Sequence, residues 1–158
     1  MSRGEHSIQQ YTTEQLPMFS PDTPKKWREI TQQLERADYI ILSSNRVYGG
    51  TSQVKNRFPQ THQYYQLLFS NALGFTLVHQ EVSRPSIPLP LISLCVHIPY
   101  FTYGHMAQNT QSCQTRGISI VDDYADETFT VYDHPKVLIF KNEKKFTANQ
   151  LYMKIAQH

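Results

Sequence analysis

The sequence predicts an α/β fold: a layered sheet of about five short strands with three helices and a Pro-rich irregular insertion. Apolar residues recur at helical spacing in three segments, and short β-branched or aromatic runs alternate with them. The charged fraction is 18%, with 10 Tyr and 8 Phe; against the usual share of about a quarter, this suits a sheet-containing domain and not a coiled coil. A length of 158 residues fits about one domain. Residues 21–158 are therefore expected to form a single α/β domain, with 83–117 as the irregular insertion. Residues 1–20 lack periodicity and read as a flexible arm or a truncated preceding element.

The elements follow in order. Thr23 can cap a first helix, Pro24 suits its first position, and Trp27, Ile30 and Leu34 recur on one face as far as Arg36. Tyr39-Ile40-Ile41-Leu42 is continuously apolar, the pattern of a central strand covered on both faces. The segment from Ser43 to Gln60, with Gly49-Gly50 and Pro59, reads as a loop. A second helix is expected from a Thr61 cap to about Ala72, with Tyr64, Leu67, Leu68 and Ala72 on its apolar face and Gly74 near its stop. Phe75 to Val82 gives a second strand. Pro85, Pro88, Pro90 and Pro99 argue against regular structure through most of 83–117. Gly117 to Val121 supplies a third strand. The run from Asp126 to Phe140 supplies two more, around an Asp133-His134-Pro135-Lys136 turn. Thr147-Ala148-Asn149-Gln150 has the spacing of a capping box ahead of Leu151 and Ile155.

A net charge of +2 with scattered basic residues gives no support for nucleic-acid binding through phosphates. No stretch approaches the roughly 20 apolar residues of a membrane span; the longest, Ile87 to Val96, is interrupted by Pro88 and Pro90. The polar N-terminus lacks the apolar centre of a secretory signal and, taken alone, favours a cytoplasmic address. The cluster Asp122, Asp123, Asp126 and Glu127 lacks the ligand spacing of a calcium loop and reads as a solvated acidic turn. The histidines are dispersed, without zinc spacing. No metal or other cofactor is expected.

Ser44, Asn45, Arg46 and Tyr48 follow the first strand, where α/β sheets bind ligands. A guanidinium, a phenol and an amide there suit sugars, phosphates or carboxylates, and equally suit a loop that locks onto its own domain. Asp133, His134 and Lys136 gather an acid, an imidazole and an amine on one turn. A triad with Ser43 or Ser44 as nucleophile lacks the G-x-S-x-G elbow, so the turn is a candidate contact surface and no catalytic residue is assigned. Cys95 and Cys113 are read from the residues alone as separate thiols, with pairing open in an oxidising compartment; closure of their loop would contribute about 3 kcal/mol.

Three segments carry a resemblance: A-D-Y-I-I-L-S-S-N-R-V-Y-G (37–49), R-F-P-x-T-x-x-Y-Y-x-L-L-F (57–69) and D-D-Y-A-D-E-T-F-T-V-Y-D-H-P-K-V-L-I-F (122–140). Over about residues 16 to 142 the chain resembles the C-terminal extracytoplasmic region of polytopic glycosyltransferases of the dolichyl-phosphate-mannose-protein mannosyltransferase-like kind, and of related uncharacterised membrane proteins. Such enzymes transfer sugar from a lipid phosphate through a multi-spanning domain with acidic catalytic residues in an early external loop, and neither that loop nor a span occurs here. The resemblance implies a non-catalytic accessory domain on the extracytoplasmic face, partnered by the membrane domain of its parent and by a glycan or lipid-linked acceptor. That compartment would permit pairing of Cys95 with Cys113 and leaves separate thiols equally open. A freestanding binding module with its ligand at residues 43–48 is the alternative.

Overall fold

The computed structural model describes residues 11–44, 46–50, 54–82, 86–97, 117–121 and 136–156. They form an α/β arrangement of three α-helices, one π-helical turn and two three-stranded sheets. Helix α1 spans Pro24–Arg36, strand β1 Tyr39–Leu42, the π turn Arg46–Gly50 and α2 Pro59–Phe69. Strands β2 (Phe75–Val82), β3 (Ser86–Ile87), β4 (Ser93–His97), β5 (Gly117–Val121) and β6 (Lys136–Asn142) follow, and α3 (Ala148–Ala156) completes the order.

Helix α1 forms as its sequence dictates. Thr23 accepts a hydrogen bond from Lys26 N at 3.2 Å, Pro24 opens the helix, and Trp27, Ile30 and Leu34 are buried. Helix α3 has the expected reciprocal cap: Thr147 N donates to Gln150 Oε1 (2.9 Å) and Gln150 N to Thr147 Oγ1 (3.4 Å). Helix α2 departs at both ends from the expected bounds. Its cap position is Phe58, so Thr61 lies inside the first turn, and it ends at Phe69 instead of near Ala72. Asn71 takes a left-handed φ of 59°, which stops the helix. Gly74, at φ 84°, then lets the chain reverse beneath Phe146, where a Cβ would lie 2.9 Å from the ring.

The first sheet runs β1-β6-β2, antiparallel throughout, with Ile40 opposite Phe140 and Leu77 opposite Phe140 on the other side. Among the described residues Tyr39–Leu42 is thus an edge strand and β6 the central one, and only one face of β1 is covered: Ile40 is buried while Tyr39 and Ile41 are exposed. Strand β6 is central, and Leu138 and Phe140 point inward from it. A bulge in β2 leaves Val78 unmatched between Leu77 and His79. All three helices, the π turn, β1, β2 and β6 contribute side chains to one core, and Phe69 meets Phe140 edge-on at 5.7 Å.

The second sheet runs β3-β5-β4, with β3 antiparallel and β4 parallel to β5. Residues 83–117 were expected to be irregular; instead they contain β3 and β4. Prolines remain compatible with these strands because Pro88 and Pro90 fall in the connection between them. Lys136, expected in a turn, starts β6 opposite Val82. The strand expected within 126–132 lies outside the described residues.

Candidate functional site

The antiparallel pairing of β1 and β6 gathers several chemistry-bearing positions at one end of the first sheet. Leu42 is opposite Leu138 and Val82 opposite Lys136. The residues after β1, the first residue of β6 and the last of β2 therefore share that end. Segments far apart in sequence, 43–48 and Lys136, meet there because β6 returns between β1 and β2.

The π turn fixes the geometry of this end. Ser44 Oγ accepts from Arg46 N at 3.1 Å, starting a turn that buries Val47, Tyr48 and Gly49. Within the segment expected to be loop, Arg46–Gly50 is therefore ordered by a side-chain cap and by core packing. Tyr48 stands edge-on to Phe69 at 5.4 Å and tilted against Tyr65 at 5.9 Å, with 5% of its surface exposed. Its ring anchors the turn in the core. Arg46 is exposed, and its guanidinium lies 5.2 Å from the Phe19 ring centroid, tying the turn to the segment before α1. Lys136 is half-buried. Asn45, Asp133, His134 and Cys113 lie outside the described residues. Cys95, on β4, is disulfide-bonded.

A second polar constellation, which sequence reasoning missed, joins Asp22, Lys26 and Thr61. The Asp22 and Lys26 side chains are nearly enclosed, and Lys26 Nζ donates to Asp22 Oδ1 at 3.1 Å, Ser20 O at 2.7 Å and Met18 O at 3.1 Å. Asp22 Oδ1 also accepts from Thr61 Oγ1 (2.6 Å) and Trp27 Nε1 (3.2 Å), and Oδ2 from Thr61 N (2.9 Å). Asp22 thereby caps α2 from another segment, replacing a side-chain cap that Phe58 cannot supply. The sequence carried a faint signal: Asp22 and Lys26 are four apart across a helix start, beside the buried Trp27.

Burial pushes the Asp22 carboxyl up. Hydrogen bonds from Thr61 and Lys26, with the Lys26 charge, outweigh that and hold it below its ordinary value. Burial pulls the Lys26 ammonium down, and Asp22 only partly restores it. Both groups are consumed by internal bonds, so the constellation fastens three segments together and offers no free acid or base. Burial also raises the Tyr64 phenol well above its ordinary range. Among the described residues no group of three or more His, Cys, Asp and Glu converges as a metal site, and no helix is long and apolar enough to cross a membrane. Comparison with protein-family models, curated proteins and solved structures gives no match.

Proposed function

We propose that this chain is an extracytoplasmic accessory domain of a membrane glycosyltransferase that uses a lipid-phosphate-linked sugar. It assists acceptor binding or stabilises the membrane domain and performs no transfer itself. The reading rests on the resemblance carried by 37–49, 57–69 and 122–140, and one structural observation supports treating the described parts of those segments as a unit. Residues 39–42, 46–48, 59–69 and 136–140 pack together as β1, the π turn, α2 and β6, with Tyr48, Phe69 and Phe140 in successive ring contact. The shared wording thus concerns a folding core, which is what a common domain would retain. The disulfide at Cys95 is in keeping with an oxidising compartment. Deletion of the corresponding tail from a membrane transferase is expected to lower its turnover of lipid-linked sugar; undiminished activity would exclude a required role.

A freestanding binding module remains the second reading, favoured by the exposed Arg46 at the end of β1. In that case Arg46→Ala weakens retention on immobilised glycans or acidic sugars by roughly tenfold, the loss of one charge-assisted contact, without changing the denaturation midpoint by much. Equal retention by both proteins would remove it.

A further inference from the structure

Strand β1 leaves one of its edges open. Asn142 N donates to Asp38 O at 2.8 Å, and the β1–β6 register sets Tyr39 opposite Lys141 and Ile40 opposite Phe140. In an antiparallel ladder only alternate residues bond to a given neighbour. Asp38, Ile40 and Leu42 therefore turn their N–H and C=O groups toward β6, and Tyr39 and Ile41 turn theirs away from the sheet. Among the described residues no strand lies on that side. The side chains of the same two residues stand on the uncovered face, with Tyr39 50% and Ile41 60% exposed.

The two edges of this sheet are built differently. Strand β2 is interrupted by its bulge and carries the exposed His79 and Glu81 beyond it, devices that keep a foreign strand away. Strand β1 has neither: Tyr39-Ile40-Ile41-Leu42 pairs with β6 without a shift and contains no Pro, Gly or charged residue. Outward backbone groups on an unguarded strand set the chemistry of the occupant, which is another extended chain.

A second copy of β1 fits this edge residue by residue. An antiparallel partner centred on Ile40 sets Tyr39 opposite Ile41 of the second copy, and Ile41 opposite its Tyr39. These are the residues whose backbone groups point outward, so each pair exchanges both N–H···O bonds. Each exposed aromatic ring also meets an exposed β-branched side chain, a favourable cross-strand combination. Asp38, the nearest charge, falls opposite Leu42 and keeps its ion pair with Lys145 of its own chain, so no like charges are set directly opposite. The two-fold axis also ends the assembly, because the joined sheet runs β2-β6-β1-β1-β6-β2 with a bulged strand at each rim. We propose that two copies of this chain associate through β1 into a two-fold dimer with one continuous sheet. A strand of four residues offers a small contact, so the dimer is reversible and forms at roughly micromolar to millimolar protein. It requires only a second copy and does not depend on a glycosyltransferase parent.

Sedimentation equilibrium of the intact chain from about 10 µM to 1 mM tests the proposal. The wild-type chain passes from monomer to dimer as its concentration rises. Ile41→Glu raises the dissociation constant roughly tenfold or more, by placing a charge in each cross-strand pair. Ile41→Pro removes the outward N–H, spares the bonds to β6 and abolishes the dimer. Val78→Glu, on the opposite edge, associates as the wild type does. Circular dichroism of each variant checks that the fold is kept. In the same concentration series the Ile41 amide exchanges its hydrogen more slowly as dimer accumulates, while the Ile40 amide, held by Phe140, is protected throughout. A chain that stays monomeric at 1 mM, a dimer that both Ile41 variants leave intact, or one that Val78→Glu dissolves would overturn the proposal. So would a protected Ile41 amide in the monomer, since the edge would then be held by a segment of the same chain. Tail deletion from a membrane transferase bears only on the accessory-domain reading.

Discussion

Lys26 donates to two carbonyls of the segment before α1, and Asp22 receives Thr61 from α2; one buried ion pair therefore joins three stretches of chain. Removing one partner leaves the other buried and uncompensated, so Asp22→Ala is expected to cost about 3–5 kcal/mol in urea denaturation. Thr61→Val, which deletes the hydroxyl's bond to the Asp22 carboxylate and the one it accepts from Lys26 Nζ at 3.2 Å, costs at least about 2 kcal/mol. The Asp22 carboxyl is held below 3.8, so its contribution is present above that value and lost as pH falls through the lower folded-state value. Asp22→Asn should accordingly flatten the acid limb of the stability profile. Lys26 is held below 10.5; the unfolded chain then binds the proton more tightly, and stability rises with pH between the folded value and 10.5. Lys26→Met removes that alkaline rise, measurable in the same titration. Thr23 as a cap was legible in the sequence because capping is local. The Asp22–Thr61 contact was not, because it depends on how two helix starts meet.

At the level of single elements, local chemistry was legible wherever partners lie within one turn. The Thr147–Gln150 box formed as its spacing requires, and Thr147→Ala should lower stability by about 1 kcal/mol, seen as a shifted thermal midpoint. The π turn was hidden because Gly49-Gly50 reads as loop, while its order comes from the Ser44 cap and the burial of Tyr48 against Phe69. Of the candidate contacts after β1, Tyr48 is a packing residue and Arg46 an exposed one. Tyr48→Ala is expected to cost about 3–5 kcal/mol, as for other large aromatic truncations in a core, whereas Tyr48→Phe keeps the ring and the packing. Equal losses from the two substitutions in a denaturation series would show that the phenol, not the ring, carries the effect.

Across the whole molecule, both sheets leave apolar residues open to solvent, and the first also covers one apolar face. The first covers Ile40, Leu138 and Phe140 with helices, and the second leaves Ile87, Leu94 and Val96 uncovered. The continuous run Tyr39 to Leu42 predicted a strand covered on both faces, yet β1 is an edge, because an apolar run reports composition and not position in the sheet. Prolines concealed β3 and β4 for a related reason: they sit in the connection, and sequence cannot separate a broken strand from two strands joined by a turn. Among the described residues the second sheet contributes nothing to the hydrophobic core, so its covalent tie matters more. Cys95→Ala should lower the unfolding free energy by about 3 kcal/mol, and hydrogen exchange should place the loss in β4 and β5. The bulge at Val78 bears on solubility. Among the described residues strand β2 lies at the rim of its sheet, with Leu77 and Val78 exposed, and an unbroken rim is a template on which another chain can add a strand. Because His79 already opposes Ile139, deleting Val78 preserves every later pairing and removes only the interruption. The shortened chain should therefore fold with the same inward residues and yet assemble into larger species, a cost that a monomer's stability would never reveal.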